Sequence, residues 1–178
     1  NGGVHVAEEA EIPPELDDLP RVGTVLELGP GLVEAEWFGL GPHECYPDRS
    51  RSGLVGRWRM PIDDLFVPYI RPQEAGGRAG VRWMELLDGA GDGVRLTMAR
   101  PTLVTQNRFT VTDLESASHV DELRPRPAVI VHIDAAHRGV GSASCGPDTI
   151  EAYLVRPGLY RWAWSIEPIR GDARLASM

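Results

Sequence analysis

Residues 160–166 read YRWAWSI. Large apolar side chains occupy every second position. Successive side chains of a β-strand point to opposite faces of a sheet, so this alternation indicates a strand with one buried face. The same period recurs at residues 33–37 (VEAEW), 54–60 (LVGRWRM) and 94–98 (VRLTM). Residues 129–133 (VIVHI) are mostly apolar, which predicts a strand buried on both faces.

Glycine and proline number 20 and 15 among 178 residues, which is more than a helical bundle carries and typical of a chain with many turns. Residues 112–115 (TDLE) match a capping box and predict a single short helix that ends near His119. About ten short strands with one short helix predict an all-β fold, an antiparallel sandwich or barrel.

The charge pattern limits the partners. The chain has 18 basic residues, all of them arginine, against 26 acidic ones, a formal charge of −8. An acidic protein repels phosphate backbones unless its basic side chains cluster, so we expect no nucleic-acid partner. No apolar run approaches the roughly 20 residues that span a bilayer, and the first residues lack a signal-peptide pattern. We therefore expect a cytoplasmic protein with no membrane partner.

The sequence contains no GxSxG, HExxH, Walker A or GxGxxG motif that would mark a catalytic or nucleotide site. Residues 88–93 (DGAGDG) lack the bidentate glutamate of a calcium loop and predict a hairpin turn. His132 and Asp134 share a strand face and could bind a metal, but a polar face that meets water is the favoured interpretation. Asp63 and Asp64 are adjacent, which predicts turn chemistry rather than paired catalytic acids.

The aromatic and thiol residues also favour structural roles. Core packing is expected for all five tryptophans, since each lies in a strand pattern: Trp37, Trp58, Trp83, Trp162 and Trp164. Cys45 and Cys145 have no CxxC or metal-ligand spacing and are expected to be reduced thiols. A thiol–imidazole pair of Cys145 with His137 or His119 can be written from residue types alone, but nothing in the sequence brings these side chains together.

A set of motifs in fixed order is far more specific than the strand pattern. Residues 36–49 read EWFGLGPHECYPDR; residues 19–23 (LPRVG) precede them, and residues 63–65 (DDL), 68–74 (PYIRPQE) and 139–141 (GVG) follow. Over about residues 19–167 this set resembles the C-terminal, or small chain, domain of bacterial β-galactosidases of glycoside hydrolase family two.

The resemblance implies an antiparallel β-supersandwich of the galactose-mutarotase-like type. It implies an enzyme that hydrolyses terminal non-reducing β-D-galactose residues with two glutamates on a separate barrel domain, so no catalytic residue is expected in this chain. Magnesium and sodium ions are implied for the full-length enzyme, held mainly by other domains, and no cofactor in this chain. The implied partners are a β-galactoside substrate, the remaining domains of the parent enzyme and further copies in a homo-oligomer.

On this basis we expect a leading strand and linker at residues 1–18, the small chain domain at residues 19–170 and a tail at residues 171–178. A different class stays open, namely a stand-alone carbohydrate-binding module or a degenerate mutarotase-like module. A mutarotase-type epimerase would need a histidine and a glutamate as acid and base on a concave sheet. A barrel domain encoded upstream would favour the enzyme.

The resemblance also implies where substrate is met. The domain is expected to form a wall of the substrate cleft at Ser144, Cys145 and Gly146. The family's DDSW loop, whose tryptophan stacks on sugar, reads SASC at residues 142–145. Because Cys145 replaces that tryptophan, we expect weaker contact with the sugar.

Overall fold

A computed structural model describes residues 2–142 and 146–171. The described residues form eight strands: β1 (Val4–Ile12), β2 (Arg21–Leu28), β3 (Glu34–Gly41), β4 (Leu54–Pro61), β5 (Arg78–Leu87), β6 (Gly93–Asn107), β7 (Val129–His137) and β8 (Gly158–Ile169). One α-helix, α1, spans Val111–Ser116, and short 3-10 helices span Ile62–Leu65, Val120–Glu122 and Glu151–Tyr153. The expected all-β fold with one short helix is confirmed.

The strands form two layers that share β6. One layer has the order β1-β8-β6-β5-β3-β4, while β7 pairs with β6 and β2, and every pairing is antiparallel. The first half of β6 pairs with β8 up to Met98, and its second half pairs with β7 from Leu103 onward. Pro101, between the halves, has no N–H group to donate to a ladder, which suits a change of partner strand at this point.

A single apolar core joins the two layers. Trp37, Met84 and Trp164 from the larger layer pack in the same buried cluster as Val131 and Ile133 of β7. A smaller cluster lies apart from this core and consists of Phe109, Leu114, Ala117 and Leu123, with Phe66 packed against it. Hydrophobic burial in the shared core therefore holds the sandwich together, and the smaller cluster fixes α1.

The strand expected within residues 1–18 is part of this sheet. β1 pairs with β8 from Val4 opposite Ile166 to Ile12 opposite Gly158, and it forms one end of the larger layer. The domain boundaries expected from the sequence stay predictions.

The helix begins two residues earlier than its predicted capping box. Thr110, not Thr112, is the N-cap: its hydroxyl accepts from the Asp113 N–H at 3.2 Å, and Asp113 accepts from the Thr110 N–H at 2.8 Å. α1 ends at Ser116, short of His119. The prediction was wrong because a threonine with a carboxylate three residues later occurs twice in this stretch, and either pair can cap a helix.

The tryptophans divide between the two faces of the larger layer. Trp37 and Trp164 are buried in the core, and Trp58 and Trp162 pack against it, as predicted. Trp83 is the exception: it is half-buried beside Phe38 and the guanidinium groups of Arg57 and Arg95. The alternation of β5 directs its neighbour Met84 into the core, so Trp83 lies on the outer face. No helix within the two described ranges is long and apolar enough to cross a membrane.

Candidate functional site

β7 is buried on both faces, and one of these faces is charged. Val129, Val131 and Ile133 face the apolar core, while His132 and Asp134 are 5% and 3% exposed. The expectation that this polar face meets water is therefore wrong. Charged and imidazole groups are buried only where other groups satisfy them, so their partners define a candidate site.

Arg21, the first residue of β2, is the main partner of Asp134. Its Nε and Nη2 groups donate to the two oxygens of Asp134 at 3.1 and 2.7 Å. Its Nη1 group donates to Oε2 of Glu74 at 3.0 Å. This fork-shaped contact suits arginine, whose planar guanidinium binds a carboxylate through two parallel hydrogen bonds. One cation thus links two carboxylates from distant parts of the chain.

Glu74 is the second centre of the cluster. The hydroxyl groups of Thr105 and Tyr46 donate to its Oε1 atom at 2.9 and 3.2 Å. The Nε2 atom of His137 lies 4.0 Å from the same oxygen, and the His137 ring packs against Tyr46 with centroids 5.4 Å apart. Three strands, β2, β6 and β7, therefore meet the loop that carries Glu74.

Burial governs the protonation of this cluster. It raises the pKa of Asp134 to about 7, although the charge and hydrogen bonds of Arg21 oppose the rise. It lowers the pKa of His132 to about 4, and nearby Arg21 adds to the effect. Burial and the charge of Arg21 also lower the pKa of His137. Both histidines are therefore neutral at neutral pH.

The motif at residues 43–49 joins this cluster to the surrounding loops. Glu44 accepts from the Gly76 N–H at 2.8 Å and from Tyr69 and Arg49, and Tyr46 accepts from the Gly77 N–H at 3.1 Å. These contacts fix the loop in front of β5, which carries Glu74. The most specific motif in the sequence is therefore a structural junction.

The same motif fixes the beginning of the expected cleft loop. The Asp48 carboxylate accepts from the N–H groups of Val140 and Gly141 at 3.1 and 2.8 Å. Gly141 has a φ of +59°, and a Cβ atom there would lie 2.9 Å from the Thr149 nitrogen, so glycine is required. Across the loop, the Thr149 hydroxyl donates to the Gly139 carbonyl at 2.7 Å. Both ends of the loop are thus fixed.

Gly146, one of the three residues predicted for the cleft wall, is exposed and lies beside Ser142. A Cβ atom added at Gly146 would lie 2.7 Å from the Oγ atom of Ser142. Ser144 and Cys145 lie outside the described residues, so the expected cleft wall and the thiol–imidazole pair stay untested.

The remaining candidates have structural roles. Asp88 accepts from the N–H groups of Ala90 and Asp92 at 2.8 and 3.0 Å, which makes residues 88–93 the turn between β5 and β6. Asp63 lies in a 3-10 helix and binds Arg108 at 2.6 Å. Cys45 is fully buried, and burial raises the pKa of its thiol. Within the described ranges, no group of three or more His, Cys, Asp or Glu side chains could hold a metal ion.

The sequence predicts a shared face for His132 and Asp134 but not the cluster of Arg21, Tyr46 and Glu74 that surrounds Asp134. Arg21, Tyr46 and Glu74 lie within the three motifs LPRVG, HECYPDR and PYIRPQE, so the signal was available. The motifs are far apart in the chain, and only the antiparallel pairing of β2 with β7 brings Arg21 to Asp134.

Comparisons with known proteins identify the family of the chain. A family model described as "Beta galactosidase small chain" matches residues 1–166. A beta-galactosidase of Arthrobacter sp. (strain B7) is 36% identical over 144 residues, which cover 78% of this chain and 14% of the relative. The beta-galactosidase of Vibrio cholerae is 39% identical over 71% of this chain, which corresponds to 12% of the relative. The beta-galactosidase of Photobacterium profundum is 30% identical over 94% of this chain, which corresponds to 16% of the relative. The chain thus spans only a small part of these relatives, and it belongs to the beta-galactosidase small chain family.

Proposed function

We propose that this chain acts as a non-catalytic domain of a β-galactosidase that hydrolyses terminal non-reducing β-D-galactose residues. The observation that carries the proposal is the match of nearly the whole chain to one segment of relatives named beta-galactosidase, of which it covers 12–16%. The catalytic carboxylates, and the magnesium and sodium ions of the full-length enzyme, then lie in its other domains. Those domains and further copies of the enzyme are the proposed partners.

The geometry of the two carboxylates in the candidate site supports a non-catalytic role for them. A retaining glycosidase places an acid and a nucleophile on opposite sides of the bond that breaks. Glu74 and Asp134 are instead bound to the same guanidinium group of Arg21. Each carboxylate is therefore engaged in holding the fold together.

The alternative of a mutarotase-like module is less well supported. The Nδ1 atom of His137 lies 2.5 Å from the Arg138 carbonyl oxygen, which can only accept, so Nδ1 carries the proton. Because the ring is neutral, Nε2 beside Glu74 has no proton to give. An epimerase that used His137 as its acid would need the opposite arrangement.

The proposal is tested by comparing the purified 178-residue chain with the full-length protein on a chromogenic β-galactoside. We expect the full-length protein to release the chromophore and the chain alone to release none. Turnover by the chain that survives repurification, or a full-length protein that leaves the galactoside intact, would overturn the proposal.

We also propose that the loop around Cys145 faces the substrate in the full-length enzyme. A tryptophan there would offer an aromatic face to the sugar, a contact worth about 1 kcal/mol, or a roughly fivefold lower KM for lactose. We expect Cys145→Trp to lower KM in this way and the size-matched Cys145→Ser to leave it unchanged. An unchanged or higher KM for a folded Cys145→Trp variant would show that the loop does not face substrate.

A further inference from the structure

The outer face of the larger layer carries two aromatic rings side by side. Phe38 of β3 pairs with Arg57 of β4 on one side and with Trp83 of β5 on the other, so the three residues form one row across the sheet. The ring centroids of Phe38 and Trp83 lie 6.5 Å apart, and both side chains are half-buried. The solvent side of an antiparallel sheet is ordinarily polar, so an aromatic pair there is unusual.

Three arginines surround the two rings. The guanidinium carbons of Arg57 and Arg95 lie 5.8 and 4.5 Å from the centroid of the Trp83 ring. The guanidinium carbon of Arg82 lies 5.2 Å from the centroid of the Phe38 ring. A cation–π contact holds a guanidinium over a ring without using its N–H donors. We call Phe38, Trp83 and these three arginines the outer patch.

The arginines of the outer patch present their charge to the outside. The Nε group of Arg57 donates to Glu36, and the Nη1 group of Arg95 donates to Glu85 at 3.1 Å. The Arg57 side chain is 64% exposed, whereas that of Glu36 is 4% exposed. Arg82 is exposed, and no group in the described part of the chain accepts a hydrogen bond from it. Guanidinium groups, and not carboxylates, therefore form the outward surface of the patch.

This composition matches the centre of a protein interface. Tryptophan and arginine are among the residue types that most often dominate the binding free energy between proteins, and charge-assisted hydrogen bonds to arginine add specificity. A partner that fits both features presents carboxylates to Arg57 and Arg82 and an apolar side chain to Trp83. An acidic segment of polypeptide supplies this combination.

Two other occupants fit the outer patch less well. A phosphate backbone needs a run of cationic contacts, but Arg57 and Arg95 already share carboxylates, and the whole chain has a formal charge of −8. A second copy that met the patch about a twofold axis would place arginines against arginines, because such a contact joins the same surface of both copies. Like charges opposed in this way weaken association.

We propose that the outer patch docks an acidic segment of the remaining part of the parent polypeptide. This chain matches only 12–16% of the length of the relatives named beta-galactosidase. A segment of the same polypeptide is present at a high effective concentration, so a small patch suffices to hold it. The inference rests on the proposed function and deepens it, because it names the surface that contacts the other domains and the chemistry of the segment that binds there.

Hydroxyl-radical labelling, read by mass spectrometry, measures how accessible Trp83 is in the 178-residue chain and in the full-length protein. We expect Trp83 and Phe38 to be labelled at least about threefold less in the full-length protein, because the core of an interface excludes water. Trp164, which is buried in the apolar core of this chain, is the internal reference. It should be labelled weakly and equally in both proteins.

A charge reversal tests the role of the arginines. Arg82→Glu would oppose the carboxylates of the docked segment, so it should raise the labelling of Trp83 in the full-length protein at least about twofold. Arg124→Glu is the matched control, since Arg124 is also exposed and has no ion pair among the described residues, but follows Leu123 of the smaller apolar cluster. It should leave the labelling of Trp83 unchanged. Weak labelling of Trp164 in both variants shows that the core is intact.

Four results would overturn the proposal. Equal labelling of Trp83 in the 178-residue chain and in the full-length protein would show that nothing covers the patch. Protection that disappears on dilution would assign the patch to a second copy, and protection that nuclease removes would assign it to a nucleic acid. Unchanged protection in Arg82→Glu would remove the role of the carboxylates. Galactosidase activity is measured on the same full-length sample, and its absence while Trp83 is protected would contradict the proposed function and not the docking.

Discussion

Both faces of β7 are buried, but different interactions stabilise them. One face packs Val131 and Ile133 into the apolar core, where removal of surface from water provides the free energy. The other buries His132 and Asp134, and for Asp134 the hydrogen bonds and charge pairing with Arg21 must offset the loss of hydration. Alternation along a strand thus separates two faces, but it does not tell which of them meets water.

The stability of the charged face should depend on Arg21 more than on any surface arginine. Arg21→Met would leave Asp134 without its described partner, so we expect a loss of about 3–5 kcal/mol in the free energy of unfolding. Denaturant unfolding at about pH 8, above the pKa of about 7 of Asp134, measures it. Arg161→Met is the control: its exposed pair with Glu9 should contribute less than about 1 kcal/mol. Similar losses in the two variants would show that the buried pair contributes no more than an exposed one.

Acid should distinguish the groups of the charged face. Between about pH 4 and pH 6.5 the folded protein keeps a proton on Asp134 and none on His132, because their pKa values are about 7 and about 4. The unfolded chain, with ordinary values of 3.8 and 6.5, does the reverse. The proton that unfolding releases from Asp134 therefore cancels the proton that it adds to His132. Because the pKa of His137 is also lowered in the fold, unfolding still takes up a proton there, and the free energy of unfolding falls as pH falls below 6.5.

Asp134→Asn removes one side of this cancellation. Between about pH 4 and pH 6.5, unfolding of the variant should take up about one proton more than unfolding of the wild type. The free energy of unfolding of the variant should therefore fall more steeply as pH falls. Denaturant midpoints measured in steps across the window test the difference. Parallel pH profiles for the two proteins would show that Asp134 does not hold its proton in the fold.

The apolar face should respond to lost volume and not to pH. Ile133→Val removes one buried methylene from the core, and we expect it to cost about 0.5–1.5 kcal/mol. The cost should be the same at pH 5 and pH 8, because no titrating group is changed. A cost that changes between these two pH values would show that the two faces of β7 are not independent.

Most of the fold could be predicted from the sequence because strand alternation is a local property. The strands around Trp37, Leu96 and Trp164 were each found from period-two patterns, and their pairing in one core follows from burying the apolar side. Trp83 escaped the prediction because a large apolar side chain on a strand does not tell which face it takes. The helix start was misplaced because Thr110 and Thr112 offer equivalent caps.

The candidate site could be predicted only in part because its contacts are long-range. His132 and Asp134 were predicted to share a face, but the burial of Asp134 depends on Arg21, which is 113 positions away in the chain. Glu74 comes from a loop that no periodic pattern describes. Its position is fixed by Glu44 through the Gly76 N–H, a contact between two loops that the sequence alone does not specify.

A double-mutant cycle on Arg21 and Asp134 measures how strongly the two groups are coupled, and so whether their pairing stabilises the buried polar face of β7. The free energy of unfolding is measured at about pH 8 for the wild type, Arg21→Met, Asp134→Leu and the double variant. We expect the double variant to lose at least about 2 kcal/mol less than the sum of the two single losses, since neither group is then left buried without its partner. If the two single losses add up to the loss of the double variant within about 0.5 kcal/mol, the pair does not stabilise the fold.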